Sequence, residues 1–321
     1  MITATVIIAT YNRARTLRTT LESLERQIVP AGFDWELLVV DNNSSDDTLD
    51  VVESFGAAMP GRIRYLFERQ QGKSFALNTA IARARGEILA FTDDDVLLDP
   101  HWLASLVTRL REYGCACAGG RIFPAWAQKK PDWLETEGPY RLGSVVVSMD
   151  LGEQPCWFVD TLPLGANMAI TARALRHIGP FRTDLGPTAG SEIRGEDSDI
   201  CRRLLAAAER ILYVPDAIAF HPVDDRRLHR SYFERYYFDQ GRAVTREEGI
   251  PRAAVCYFGV PRYLIPQACM RLASWMLSTD VKRRFYHKLQ FRYSLGRIVE
   301  ARALRQRPGS ARATQPAYTS R

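Results

Sequence analysis

Residues 87–95 read EILAFTDDD. An apolar run of this length, too short for a helix and followed at once by three aspartates, predicts a buried strand that delivers carboxylates to its carboxyl end. Working outward, residues 74–84 predict a helix stopped by Gly86, and residues 100–111 a helix with Pro100 in its first turn. Further upstream, 63–67 (IRYLF) and 35–41 (WELLVVD) read as strands. Ser44 and Ser45 are candidate caps for a helix over 46–54. Residues 15–27 place Leu17, Leu21 and Leu24 at helical spacing, and 5–9 (TVIIA) is a further strand. Strands alternating with helices predict an α/β fold with a mostly parallel central sheet flanked by helices.

In such a sheet the ligand lies beyond the carboxyl ends of the strands. The residues expected there are Thr10-Tyr11-Asn12-Arg13 after the first strand, Asp41 after the second and Asp93-Asp94-Asp95 after the fourth. Three adjacent carboxylates repel one another. A divalent cation bridging them to a phosphate relieves that repulsion, whereas a solvated Asx turn is the structural alternative. In extended chain Asp93 and Asp95 point to the same side. Gly72-Lys73-Ser74 imitates the end of a phosphate-binding P-loop, but Phe67 stands where its first glycine belongs. A GxGxxG motif after the first strand is also absent, so a nucleotide would be held without a glycine-rich loop.

The middle of the chain is less regular. Residues 119–152, rich in Gly, Pro and Trp, predict loops and short strands. Residues 164–170 (LGANMAI) predict a short strand, with Thr171 capping a helix to Ile178. After a loop over 179–195, residues 196–210 predict a helix with Glu196, Asp197 and Asp199 in its first turn. Residues 211–214 and 217–220 predict closing strands, followed by His221.

The 321 residues are 46% hydrophobic and 25% charged, which excludes disordered, collagen-like and coiled-coil classes. The six cysteines form no CxxC pair and read as reduced thiols. The chain shows no basic leader and no apolar run near the ~20 residues of a spanning helix, so neither a signal peptide nor a transmembrane helix is expected. Charge is split. Residues 1–223 hold 23 Lys/Arg against 29 Asp/Glu, a net of −6, while 224–307 hold 18 against 8, a net of +10. The expected organisation is a catalytic domain over 1–223, a basic, aromatic-rich helical extension over 224–307 and a disordered tail over 308–321.

The motifs VIIATYNR (6–13), ELLVVDNNSSDDT (36–48), GKSFALNTAIARARGEILAFTDDD (72–95), PHWL (100–103), LGANMAI (164–170) and GEDSDICRRL (195–204) occur here in one order and spacing. Together they make residues 1–221 resemble the inverting family 2 glycosyltransferases of GT-A fold. The resemblance implies transfer of a sugar from a nucleotide-diphospho-sugar, with a UDP-sugar the expected donor, to a hydroxyl acceptor in polysaccharide or glycolipid synthesis. By that resemblance Thr10, Tyr11, Arg13 and Asp41 line the base and ribose, and Lys73 and Asn78 contact the donor. Asp93, Asp94 and Asp95 form the DxD arm for Mg2+ or Mn2+, with His221 as a further metal ligand or a structural histidine. Asp197 is implied as general base, with Glu196 as support. Asn167 either faces the acceptor or serves as a buried strand-end amide.

The extension of 224–307 suggests peripheral contact with the inner face of a membrane, where a lipid-linked acceptor would lie; a structural lid is the alternative, and nucleic acid is not an expected partner. Two other functions compete with transfer: a non-catalytic binding module for sugar nucleotides or polysaccharide, and a sugar nucleotidyltransferase. The second would want a glycine-rich basic loop where Ala9-Thr10-Tyr11-Asn12-Arg13 stands.

Overall fold

A computed structural model of the chain describes residues 2–306 except 137, 143–144, 192 and 252. The expected tail over 308–321 lies outside the described residues. The chain divides into two compact units, the first ending at Tyr232 and the second beginning at Phe233.

The first unit runs β1 (Ala4–Thr10), α1 (Ala14–Glu25), β2 (Trp35–Asp41), α2 (Thr48–Ser54), β3 (Ile63–Phe67), α3 (Lys73–Arg83), β4 (Ile88–Asp93), β5 (Leu97–Leu98) and α4 (Trp102–Glu112). It continues through β6 (Cys117–Trp126), β7 (Cys156–Trp157), β8 (Met168–Thr171), α5 (Ala172–Ile178), α6 (Glu196–Ala206) and β9 (Ile211–Val223). Among the described residues these strands form one sheet in the order β3-β2-β1-β4-β8-β6-β9-β5, with β7 paired to β9. The first four in that order are mutually parallel, and β8 enters antiparallel between β4 and β6. Strand β2 is buried along its whole length and β1 at six of its seven positions, as expected where helices cover both faces. The register sets Thr10 beside Asp41 and Ala9 beside Asp93, so three neighbouring strands end level with one another.

Several local expectations change. Ser44 and Ser45 do not cap α2: the Ser44 hydroxyl accepts from Asn12 N–H, and Ser45 N–H donates to Asn12 Oδ1. Helix α4 starts at Trp102, so Pro100 lies ahead of it. Residues 119–126, within the stretch read as loops and short strands, belong to the ten-residue strand β6. Two closing strands are one, β9, whose register against β6 shifts between Gly120 and Arg121. Gly120 is needed at that shift, because a Cβ there would collide with the Asn167 amide and the Ala217 carbonyl. The cap at Thr171 forms as read, its hydroxyl accepting from Ala174 N–H.

The second unit holds most of α7 (Arg230–Glu248), the hairpin β10 (Cys256–Tyr257) and β11 (Val260–Pro261), α8 (Leu264–Leu277) and α9 (Val281–Gln306). Helices α7 and α9 touch backbone to backbone at Gly241 and Gly296, where added Cβ atoms would strike the carbonyls of Tyr293 and Phe238. Buried Glu300 accepts from Arg242 Nε at 2.9 Å and Arg246 Nε at 2.6 Å. Part of the positive charge of this region is therefore internal. Among the described residues no helix is long and apolar enough to cross a membrane.

Candidate active site

The β1–α1 turn is tied to its neighbours by polar contacts. Asn12 takes a left-handed φ of 51° and binds Ser44 and Ser45. Arg13 Nη1 donates to Asp94 Oδ1 and to Asp95 Oδ2, both at 2.9 Å. This contact with the aspartate arm was not part of the sequence reading. Thr10 is buried and Tyr11 exposed. Asp41 is buried, with Oδ2 accepting from Tyr65 Oη at 2.7 Å and Oδ1 from Ser44 N–H at 2.8 Å. An open cleft of about 330 Å³ is lined by Asn12, Arg13, Arg15, Thr16, Asp95 and Asp224.

Lys73 opens α3, and its Nζ donates to Asp93 Oδ1 at 2.6 Å and lies 3.6 Å from Glu196 Oε1. Burial opposes the Asp93 charge, but the Lys73 ammonium overcomes that and holds its pKa well below the usual range. Asp94 behaves oppositely: burial and its aspartate neighbours push it up to about 6 despite Arg13. Asn78 lies farther along α3 and spends its amide on the backbone of Phe181, donating to the carbonyl and accepting from the N–H.

Asp93, Asp95 and His221 can each present one ligand atom within 4.8 Å of the others. His221 is buried, and its Nδ1 lies 3.0 Å from the Pro222 carbonyl. A carbonyl only accepts, so Nδ1 carries the proton and Nε2 keeps its lone pair in the neutral ring, the arrangement usual for metal-binding histidine. Burial lowers the His221 pKa and favours that neutral form. The Nε2 atom sits 3.6 Å from Asp95 Oδ1, a buried oxygen with no hydrogen-bond partner. An orphaned carboxylate oxygen beside an imidazole lone pair fits a divalent cation. Arg227, also missed in the sequence reading, is buried with Nη2 3.9 Å from Asp95 Oδ2. In sequence it is hidden in the charged run DDRRLHR (224–230), which carries no signal of which side chain turns inward.

Three acids open α6. Asp199 is consumed by an ion pair with Arg203 one turn on, at 2.7 Å. Asp197 is oriented by the N–H of Gly165, 2.9 Å from Oδ2, and a Cβ on Gly165 would collide with the Asp197 carboxylate. Burial and Asp93 raise the Asp197 pKa against the pull of Lys73. Glu196 is buried with Oε2 unpartnered, and burial next to Asp197 pushes it up to about 7. Asn167 is fully buried. Its Oδ1 accepts from Trp102 Nε1 at 2.8 Å, and its Nδ2 donates to the Arg121 and Ala217 carbonyls. The structure thus brings Lys73, Asp93, Asp94, Asp95, His221 and Arg13 together, sets Glu196 against Lys73, and ties Asn78 and Asn167 into the scaffold.

Residues 5–151 match the family described as Glycosyl transferase family 2. The succinoglycan biosynthesis protein ExoM of Rhizobium meliloti is 26% identical over 242 residues, 74% of this chain and 73% of that protein. A glucosyl-dolichyl phosphate glucuronosyltransferase of Haloferax volcanii is 22% identical over 72% of this chain and 74% of its own length. With two further curated relatives the likeness spans only about a third of the relative, 31% and 38%. In fold the chain is similar to the mannosyltransferase PcManGT of Pyrobaculum calidifontis, solved with GDP-Man and Mn2+. The TM-score is 0.61 at 20% identity, over 92% of this chain and 86% of that one.

Proposed function

We propose, from the match of residues 5–151 to glycosyl transferase family 2, that the chain is an inverting, metal-dependent transferase moving a sugar from a nucleotide diphosphate to the hydroxyl of a lipid-linked acceptor. The observation that carries the reading is the cluster of Asp93, Asp95 and His221, with a buried, unbonded carboxylate oxygen at the edge of an open cleft. These three residues would hold the cation, Mg2+ or Mn2+. When bound, the cation offsets negative charge on the leaving diphosphate.

The chain's own groups account for the rest. Thr10, Tyr11, Arg13 and Asp41 surround the nucleoside, with Asp41 held by Tyr65. Lys73, Arg13 and Arg227 supply positive charge beside the aspartate arm, where the diphosphate would otherwise meet three carboxylates. Asp197 keeps Oδ2 on the Gly165 N–H and takes the acceptor's proton at Oδ1. Its raised pKa brings it nearer to working pH, which strengthens a general base. The freed acceptor oxygen bonds to the anomeric carbon while the bond to the diphosphate oxygen breaks and that oxygen keeps the electron pair. One displacement inverts the configuration. Asn78 and Asn167 serve as braces, and Glu196 sets the charge balance around Lys73.

The lipid-linked acceptor is supported by one long relative, whose name carries a glucosyl-dolichyl phosphate, and polysaccharide synthesis by the other, whose name carries succinoglycan biosynthesis. The basic excess of residues 224–307 supports peripheral contact with a membrane. Calorimetry with UDP and with GDP, with and without Mn2+ or Mg2+, tests the site. Wild type should bind one nucleotide far more tightly with metal, and Asp95→Ala should lose that dependence. Unchanged affinity and metal dependence in Asp95→Ala would remove the assignment. Binding without turnover of any nucleotide sugar would favour a binding module.

A further inference from the structure

Helix α8 exposes one uncharged face. Its exposed positions are Ile265, Pro266, Cys269, Met270, Ala273, Met276 and Leu277. They recur at helical spacing, and not one is polar or charged. Met270 is 63%, Met276 70% and Leu277 80% exposed. The opposite side is settled by contacts with α9: the rings of Trp275 and Phe291 lie 5.8 Å apart, and Arg271 Nη1 donates to Ser294 Oγ at 2.9 Å. The apolar face is therefore turned away from α9. Just before the helix, at the tip of the β10–β11 hairpin, Phe258 is 97% exposed.

Beyond the apolar face the chain enters α9 with exposed Val281, Lys282, Arg283 and Arg284 in succession. The first turn of α9 contains no acidic residue. Cations at a helix N-terminus oppose the helix dipole, so helix stability does not explain their position. Asp280 precedes them, its Oδ1 accepting from Arg283 N–H. The exposed, dipole-opposed group next to the apolar face therefore suits an anionic surface.

We propose that α8 lies in the interfacial plane of an anionic phospholipid bilayer, its Ile265–Leu277 face among the acyl chains and Lys282, Arg283 and Arg284 on the headgroups. The proposal refines the membrane contact suggested above for residues 224–307 by naming the element that makes it. A helix of 14 residues rises only about 21 Å, short of the hydrocarbon core, which suits lying in the interface rather than crossing it. Apolar burial and headgroup attraction then add, the second being salt-sensitive and the first not.

The test is co-sedimentation of the full chain with phosphatidylcholine vesicles, with and without phosphatidylglycerol, across a salt series. Wild type should bind the anionic vesicles, with a salt-resistant remainder. Lys282→Ser/Arg283→Ser/Arg284→Ser should lower the partition coefficient roughly a hundredfold at low salt. Met270→Glu/Leu277→Glu should abolish the salt-resistant part. Both variants change exposed side chains, and unchanged melting temperatures would show that the fold is kept. Failure of wild type to bind anionic vesicles at low salt overturns the proposal, as does full salt-resistant binding by Met270→Glu/Leu277→Glu. A wild-type dimer in vesicle-free solution that Leu277→Glu converts to monomer would assign the face to a second copy and equally overturn it. Transfer to a soluble acceptor reads the catalytic proposal separately: a chain that transfers sugar but ignores vesicles loses only the surface, and one that binds vesicles but turns over no donor loses only the chemistry.

Discussion

Glu300 of the second unit and the acids around the aspartate arm of the first are buried carboxylates in opposite states. In the second unit Glu300 is saturated, with Arg242 and Arg246 on its two oxygens. Burial alone would raise its pKa, but the guanidinium groups hold it below the usual range. In the first unit the aspartate arm and the start of α6 keep orphaned oxygens, on Asp95 and Glu196, and burial pushes Asp94, Glu196 and Asp197 upward. A saturated buried carboxylate has nothing left to offer a ligand. An unsaturated one holds an unfavourable charge that a cation, a proton or a substrate hydroxyl relieves. The state of satisfaction, more than burial or charge, separates a structural acid from a functional one.

The largest effect is expected where a carboxylate of the first unit does chemistry. Asp197→Asn should leave fold and donor affinity intact and lower turnover by about 10²–10⁴-fold, the scale of losing a general base. Glu196→Gln is the control and should act more weakly on the chemical step. Gly165→Ala should resemble Asp197→Asn, since its Cβ must displace the Asp197 carboxylate. Steady-state kinetics on the preferred donor decides. If Glu196→Gln abolishes turnover and Asp197→Asn does not, the base is the other carboxylate.

Next comes the saturated acid. Glu300→Ala leaves two arginines facing a buried gap and should cost about 3–5 kcal/mol of stability, the range for breaking a buried ion pair. Nucleotide affinity of the folded protein should not change. Urea melts followed by calorimetry read the two separately, and a stable variant with altered affinity would break the contrast.

The sequence made some of this contrast readable and hid the rest. The strands that deliver Thr10, Asp41 and Asp93 were legible because a short apolar run bounded by polar residues is a local signal. The start of α6 was legible from its three first-turn acids, and the role of its GED from the family resemblance. Strand β6 was not, because Gly119, Gly120 and Pro124 interrupt its pattern. Gly120 is there for a reason outside its own segment, the approach of Asn167. Nor does periodicity report which charge meets which. Arg13 reads, by the resemblance, as lining the base and ribose, and the folded chain also has it bound to Asp94 and Asp95. The positive excess of 224–307 reads as one surface, yet Arg242 and Arg246 close on Glu300. Asn78 reads as a donor contact and Asn167 as either an acceptor contact or a buried strand-end amide, and only the folded chain shows the amides of both engaged in the scaffold.

A pH titration of stability sharpens the comparison further. Glu196 has its folded pKa raised from 4.5 to about 7, so the native state holds the proton more tightly than the unfolded state. Stability from this group is full below about pH 4.5 and is lost as pH rises toward 7. The loss is at most about 3 kcal/mol for a shift of this size. Glu196→Gln should remove that slope in chelator-treated protein, making the variant relatively more stable near pH 7.5 than at pH 5. An identical pH profile in wild type and variant would show that Glu196 has found a partner in solution.

The smallest effect is expected at a third carboxylate, Glu36, which belongs to the first unit but behaves like Glu300. It is buried, and it accepts from Arg85 N–H and Nε, both at 2.8 Å, from Arg64 Nη1 at 3.0 Å and from Thr5 Oγ1 at 2.9 Å. Burial would raise its pKa, and these donors together lower it instead. The sign is therefore opposite to that of Glu196: the stability from Glu36 is present above the unfolded pKa and is lost as pH falls through the folded one. Thr5→Val removes one donor of several and also strips Gly86 N–H of its acceptor, the same hydroxyl at 2.9 Å. The cost should be about 1–2 kcal/mol near neutral pH, with a shallower decline on the acid side because Glu36 is held less tightly. Thermal melts from pH 3 to pH 7 compare the two slopes directly. A Thr5→Val variant that loses stability toward high pH, as Glu196 makes the wild type do, would mean that saturation is not what divides these acids.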